Sequence, residues 1–287
     1  MPSGTILVTF ADGSSDFIAA GKRLTKQAQL LNYFERIICM NSADLENLVP
    51  EFSIPASQQD MLLDRYFLYQ NAKAYVLKAA LSGRLGDFQQ ILYLDVGCEI
   101  VTNPISRHKL LRVLKRAKKL PIGVAQETIY REKNYTKRKV LEFFDCSEKL
   151  TNSFMVQPGV IILNNNIASL SLIELWVQYL DPKLGLIQDP ESKESDLVAH
   201  RRDMSIFSIL WKQNCGNVLN FYWNTPRTES KFLDAITSTY AIQAIRNRSG
   251  NSIISSSPFP KLFFLSIGVV ALPLLKIRIF AKKRFSK

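Results

Sequence analysis

Residues 261–287 contain no Asp or Glu, yet they carry Lys261, Lys276, Arg278, Lys282, Lys283, Arg284 and Lys287. Seven of the chain's twelve net positive charges therefore lie in that tail, leaving five for the other residues. A body so mildly basic, with no base-stacking motif, excludes a nucleic-acid-binding role. Cysteine is sparse: Cys39, Cys98, Cys146 and Cys215 stand far apart, with no spacing that ligates a metal. Cys39 falls in a strand-like run and is expected as a small core residue, and the pattern points to a reducing compartment. The N-terminus lacks the basic, apolar start of a secretory signal, since Pro2-Ser3-Gly4 leads straight into an apolar run. Long apolar stretches are missing too. The segment from Leu262 to Leu275 has about 14 residues, against the roughly 20 a helix needs to span a bilayer.

What is present is the material of one α/β domain. A chain of 287 residues with 47% hydrophobic and 22% charged content is ordinary for a globular protein. Thr5-Ile6-Leu7-Val8-Thr9-Phe10 reads as a buried strand, followed by the turn formers Ala11-Asp12-Gly13-Ser14-Ser15-Asp16. Phe17, Ala20, Leu24, Ala28 and Leu31 then share one helical face, with Asp16 as the expected cap and Lys22, Arg23 and Lys26 mostly off it. Arg36 to Met40 is a second strand, which makes a βαβ unit with a parallel pair. Residues 41–60 hold Pro50 and Pro55 and read as a long loop with room for a short helical turn, and Met61 to Leu81 as a long helix stopped by Ser82-Gly83.

The organising stretch is Gln89-Gln90-Ile91-Leu92-Tyr93-Leu94-Asp95-Val96-Gly97-Cys98-Glu99-Ile100. Its apolar run is that of a strand buried on both faces. It ends at Asp95, where open α/β sheets bind ligands. Gly97 permits close backbone approach. Asp95 and Glu99 either share a divalent cation with substrate phosphates, or cap a turn and meet solvent. Two further segments stand out. Gln157-Pro158-Gly159-Val160-Ile161-Ile162-Leu163 is a turn and a buried strand, and His200-Arg201-Arg202-Asp203-Met204-Ser205 opens a helix with Ile206, Ile209 and Leu210 buried.

Tyr-Leu-Asp-Val-Gly-Cys-Glu, at residues 93–99, resembles the acidic motif of nucleotide-sugar-dependent glycosyltransferases of the GT-A type. It is most similar to bacterial surface-polysaccharide enzymes with an aspartate, glycine and cysteine after the strand. The Gln157–Val160 segment is similar to that group's Asn-x-Gly-Val, and residues 200–205 to its His-Arg-x-Asp-Gln-Ser, with Met204 in place of glutamine. In the wider superfamily the acidic motif is Asp-x-Asp and holds a metal on the donor diphosphate. Here Gly97 takes the second acidic position, and Glu99 is the candidate substitute. The group's Trp-Lys-Pro run is replaced by Tyr69-Gln70-Asn71-Ala72-Lys73. Lys73 and Lys78 either reach a phosphate or lie solvated on an exposed helix face.

The resemblance implies a Rossmann-like GT-A fold with a mostly parallel central sheet flanked by helices over residues 1–250. A linker at 251–260 and a hydrophobic, basic, membrane-associating tail at 261–287 follow. It implies transfer of a sugar from a nucleotide-sugar donor to a hydroxyl of a glycan or lipid-linked acceptor, in surface glycan or polysaccharide synthesis. The expected place is the cytoplasmic side of a membrane, peripheral or anchored by the tail. Asp95 and Asp203 are the expected catalytic residues. Asp12, Gly13, Arg23, Asp95, Gly97 and Cys98 are expected on the donor, Gln157, Gly159 and His200 on the acceptor side, and Asp95 with Glu99 on a Mn²⁺ or Mg²⁺ ion. The basic residues 130–139 form either a solvated loop or a mobile clamp on the leaving group. The competing expectation is a catalytically inactive, membrane-associated relative that binds a sugar nucleotide or a protein partner.

Overall fold

The computed structural model describes residues 4–52, 71–102, 104–190, 192, 194–214, 216–219, 223–224, 242–244 and 250. The expected linker and tail, Cys215 and the first part of the Met61–Leu81 helix lie outside them.

A six-stranded sheet is ordered β2-β1-β3-β6-β5-β7. Its strands are β1 (Thr5–Phe10), β2 (Arg36–Met40), β3 (Gln90–Leu94), β5 (Gly123–Arg131), β6 (Phe154–Asn164) and β7 (Asn217–Val218). β1 pairs in parallel with β2 and β3, β5 with β7, and β6 runs against both β3 and β5. The sheet is therefore mostly parallel, as expected. A smaller sheet joins β4 (Glu99–Ile100), β9 (Ile242–Ala244) and β8 (Trp223–Asn224).

Alternation along each strand feeds two cores. Ile6, Val8, Ile91, Tyr93, Ile161 and Leu163 face one side; Leu7, Leu92, Leu94, Val160 and Ile162 face the other. Burial on both faces is why these strands read as continuous apolar runs. The first side is covered by α3 (71–79), α8 (Ile167–Tyr179) and α9 (Asp203–Gln213), and the second by α1 (Ser15–Leu31) and α4 (Pro104–Ala117). Gly123 starts β5 at φ 146°, and a Cβ there would lie 1.9 Å from Ile162 O, so the close strand approach needs glycine.

Local chemistry overrides several expectations. The side chain of Ser14, not Asp16, caps α1 by accepting from Phe17 N. The short helical turn allowed for in the loop after β2 is α2 (Ser42–Leu48), begun by a reciprocal capping box between Asn41 and Asp44. Cys39 is exposed rather than in the core, because β2 is the edge strand. Residues 130–139 are not a loop of either expected kind. They complete β5 and form α5 (Glu132–Tyr135) and the start of α6 (Arg138–Phe143), and the Lys137 ammonium is tied to Gly185 O and Gln188 O at 2.8 and 2.6 Å. α7 (Glu148–Thr151) follows. No helix among the described residues is long and apolar enough to cross a membrane.

Candidate active site

β3 delivers Asp95 at its carboxyl end. The Asp95 amide donates to Gly159 O on β6 at 2.9 Å, and Cys98 N closes the turn onto Asp95 O at 2.9 Å. Gly159 is small for a reason: a Cβ there would fall 2.8 Å from Asp95 Oδ2 and 3.3 Å from Gln157 Nε2. Asp95, Gly159 and Gln157 thus gather at one point. Tyr93, two residues back on the same strand face, donates its hydroxyl to Asp95 Oδ1 at 3.1 Å. Burial and the neighbouring Asp95 charge push the Tyr93 phenol well above its ordinary range.

α3 brings Lys73 over the same face. Its ammonium lies 3.6 Å from Asp95 Oδ2 and 3.4 Å from Asp203 Oδ2. The Lys73 side chain is only 15% exposed, against 40% for Asp95 and 11% for Asp203. Burial by itself lowers the Lys73 ammonium, but the two carboxylates outweigh it and hold it charged, above its ordinary range. Lys73 is therefore part of the cluster and not a solvated surface lysine.

Asp203 is the first residue of α9, where the helix dipole favours a negative charge. The preceding Arg202 adopts φ 45°, ψ −115°, a conformation that costs a non-glycine residue about 1–3 kcal/mol. Its guanidinium is held by Asp189 Oδ2 at 2.9 Å, and Trp176 Nε1 donates to Asp203 O at 3.2 Å. This strained turn aims Asp203 at Lys73. Asp203 Oδ2 is buried, and the Lys73 ammonium at 3.4 Å is the charge it faces. Burial raises the Asp203 carboxyl; Lys73 opposes that and Asp95 adds to it.

The other expected residues are placed differently. Arg23 is buried behind the turn, donating to Val96 O at 2.8 Å and Cys98 O at 3.0 Å, so it positions the loop that carries Asp95. Glu99 is wholly buried against α1, where Gln27 Nε2 donates to it at 3.3 Å and the Arg23 charge lies close. Cys98 is buried with its thiol toward Gly159 O, which leaves the half-buried Gly97 as the open part of the turn. Burial, followed by the Asp95 charge, keeps the Cys98 thiol protonated. Asp12 accepts from Ser42 N at 2.7 Å and Gly13 N at 2.6 Å. Burial raises its carboxyl, but the hydrogen bonds of Ser42 and Gly13 together bring it below the ordinary value. Asp12 lines an open cleft of about 990 Å³ with Lys22, Lys26, Cys39 and Ser42, separate from the Asp95 cluster.

His200 is not presented to an acceptor. It is buried, with Nε2 2.8 Å from Leu186 O and Nδ1 accepting from Lys137 N at 3.4 Å. Burial pushes its pKa down from 6.5 to about 4. The neutral ring therefore supports folding above pH 6.5, and that support is lost progressively as pH falls toward 4. The loss amounts to about 3 kcal/mol. Urea titrations should show the wild type losing that much more than His200→Gln over this interval.

The divalent ion implied by the resemblance does not fit these side chains. Asp95 faces an ammonium, Glu99 is enclosed by α1, and no group of three His, Cys, Asp or Glu among the described residues can hold a metal.

The chain matches no protein-family profile and no curated sequence. Among solved structures it is similar to mouse xyloside xylosyltransferase 1 in its apo form, at 14% identity and a TM-score of 0.45, over 89% of this chain and 99% of that one. It is also similar to a glycosyltransferase involved in glycosylation of the major capsid of PBCV-1, at 8% identity and a TM-score of 0.43, over 83% and 92% of the two chains.

Proposed function

We propose that the chain is a glycosyltransferase that moves a sugar from a nucleotide-sugar donor to an acceptor hydroxyl. The observation that carries this reading is the Asp95–Lys73–Asp203 cluster at the carboxyl end of a sheet strand, with the Asp203 carboxylate buried and its Oδ2 facing the Lys73 ammonium. Open α/β sheets bind ligands at that end of their strands. A carboxylate oxygen has more than one acceptor site, so Asp203 Oδ2 can accept from a sugar or acceptor hydroxyl while it faces Lys73. The nucleoside lies toward the cleft lined by Lys22, Lys26 and Ser42 at the ends of β1 and β2.

In the reaction, the bond from the anomeric carbon to the diphosphate oxygen breaks, and its electron pair stays on that oxygen. The acceptor oxygen bonds the anomeric carbon. Its proton passes to Asp203, whose raised pKa suits it to a base, and then to water. Tyr93 fixes the rotamer of Asp95, and Arg23 fixes the loop beneath it. The acidless residues 261–287 support an acceptor at an anionic membrane surface, on its cytoplasmic side, as in surface glycan synthesis.

Asp95→Asn keeps the shape and removes the charge that faces Lys73 and the donor. It should lower nucleoside diphosphate release by about 100-fold. Full activity in that variant would remove Asp95 from the reaction.

A further inference from the structure

We infer that Lys73 takes the place of a divalent cation, so that the chain binds and turns over its donor without metal. This deepens the transferase reading and rests on it.

A metal at such a site does two things: it neutralises the facing carboxylates and it offers positive charge to the leaving diphosphate. Here both jobs fall to one ammonium. Lys73 Nζ stands between Asp95 and Asp203, at 3.6 and 3.4 Å, within ion-pair reach of each. It is built in rather than draped over the surface. α3 carries Ala72, Ala74, Val76 and Leu77 into the core beside it, so the helix cannot turn to withdraw the cation without exposing them.

The ligands that would hold an ion are otherwise occupied. Gly97 contributes no side chain where a second carboxylate would stand, and Glu99 is bound to Gln27 and close to Arg23 inside the fold. Of the two histidines, His200 is engaged by Leu186 and Lys137, and His108 is exposed on α4. A divalent ion would have to enter beside a fixed positive charge at a few ångströms, with like-charge repulsion opposing it. The ammonium instead leaves Asp95 half open to solvent. A diphosphate oxygen arriving beside Asp95 finds an ammonium already held in place by the fold. Lys73 has three donor hydrogens, so it can keep both carboxylates and still donate to a phosphate oxygen.

The test uses the full chain. Nucleoside diphosphate release is measured in excess EDTA and in millimolar Mn²⁺. Separately, Mn²⁺ binding without donor is followed by the paramagnetic resonance signal of the free ion. The wild type should release diphosphate equally in EDTA and Mn²⁺ and leave the Mn²⁺ signal unchanged. Lys73→Met keeps the side-chain volume and frees both carboxylates for a cation. It should lose about 100-fold in EDTA, recover part of that in Mn²⁺, and bind the ion. EDTA-sensitive release restored by Mn²⁺ in the wild type, or wild-type uptake of Mn²⁺, overturns the inference. If no nucleotide sugar binds or is consumed, the transferase reading fails on its own. Mn²⁺ uptake by Lys73→Met and not by wild type would then still support Lys73 as the resident cation, and uptake by wild type would refute it.

Discussion

Asp203→Asn should reduce turnover by about 1,000-fold while leaving the fold at least as stable as the wild type. The two effects have one origin. The Asp203 carboxylate is buried at the start of α9, with Oδ2 facing the Lys73 ammonium. Its pKa is raised, chiefly by burial. A carboxyl whose folded pKa exceeds its unfolded value costs stability above the unfolded value, because ionisation favours the unfolded chain. A neutral amide of the same shape escapes that cost, and Lys73 keeps Asp95 as its partner. The amide cannot accept a proton, however, so the acceptor hydroxyl loses its base. Thermal melts and diphosphate release on the same preparation check both halves. Loss of release together with a collapse of the melt would instead make Asp203 a structural residue.

Glu132→Ala should cost about 3 kcal/mol and lower the melting midpoint by about 10 °C, without bearing on donor chemistry directly. Glu132 is wholly buried at the start of α5. Its Oε1 accepts from Lys212 Nζ at 2.8 Å and from Ser208 Oγ, and its Oε2 accepts from Thr136 Oγ1 at 2.7 Å. Ser208 Oγ in turn accepts from Val156 N at 2.6 Å, and Lys212 also donates to Ser153 Oγ at 2.8 Å. One carboxylate thus ties α5 and α9, and through Ser208 the strand β6. Removing it leaves a buried ammonium and a hydroxyl short of partners, which is the expensive way to break such a network. Glu132→Gln, which keeps most hydrogen bonds, should lose markedly less. Calorimetric melts of the two variants decide it, and equal melting points would show that the network contributes little.

The sheet was legible wherever both of its faces are buried. β1, β3 and the 158–164 part of β6 appear as apolar runs because their positions are buried on both faces. Asp95 stood at the end of such a strand and Asp203 at the start of a helix, whereas Gln157 and Gly159, expected in a turn, lie inside β6. α2 was legible only as a short helical turn within a loop, because it is seven residues long and Pro50 follows it. Lys73 was the harder case. A lysine on a helix is usually solvated, and only its setting in Asn71-Ala72-Lys73-Ala74-Tyr75-Val76 hints that it points inward. Arg23 sits beside Leu24 on a face that looked polar, and its guanidinium reaches carbonyls more than seventy positions away, at Val96 and Cys98. Contacts of that range leave no local pattern. Glu99 looked available because nothing in residues 95–99 shows that Gln27 and Arg23 will enclose it.

The most direct measurement is calorimetric titration of the full chain with a panel of nucleotide sugars, followed by assay of diphosphate release from each that binds. The account predicts that at least one binds saturably and is consumed, and that Asp203→Asn still binds it but no longer releases diphosphate. Absence of binding across the panel, or undiminished release in both Asp95→Asn and Asp203→Asn, would contradict it.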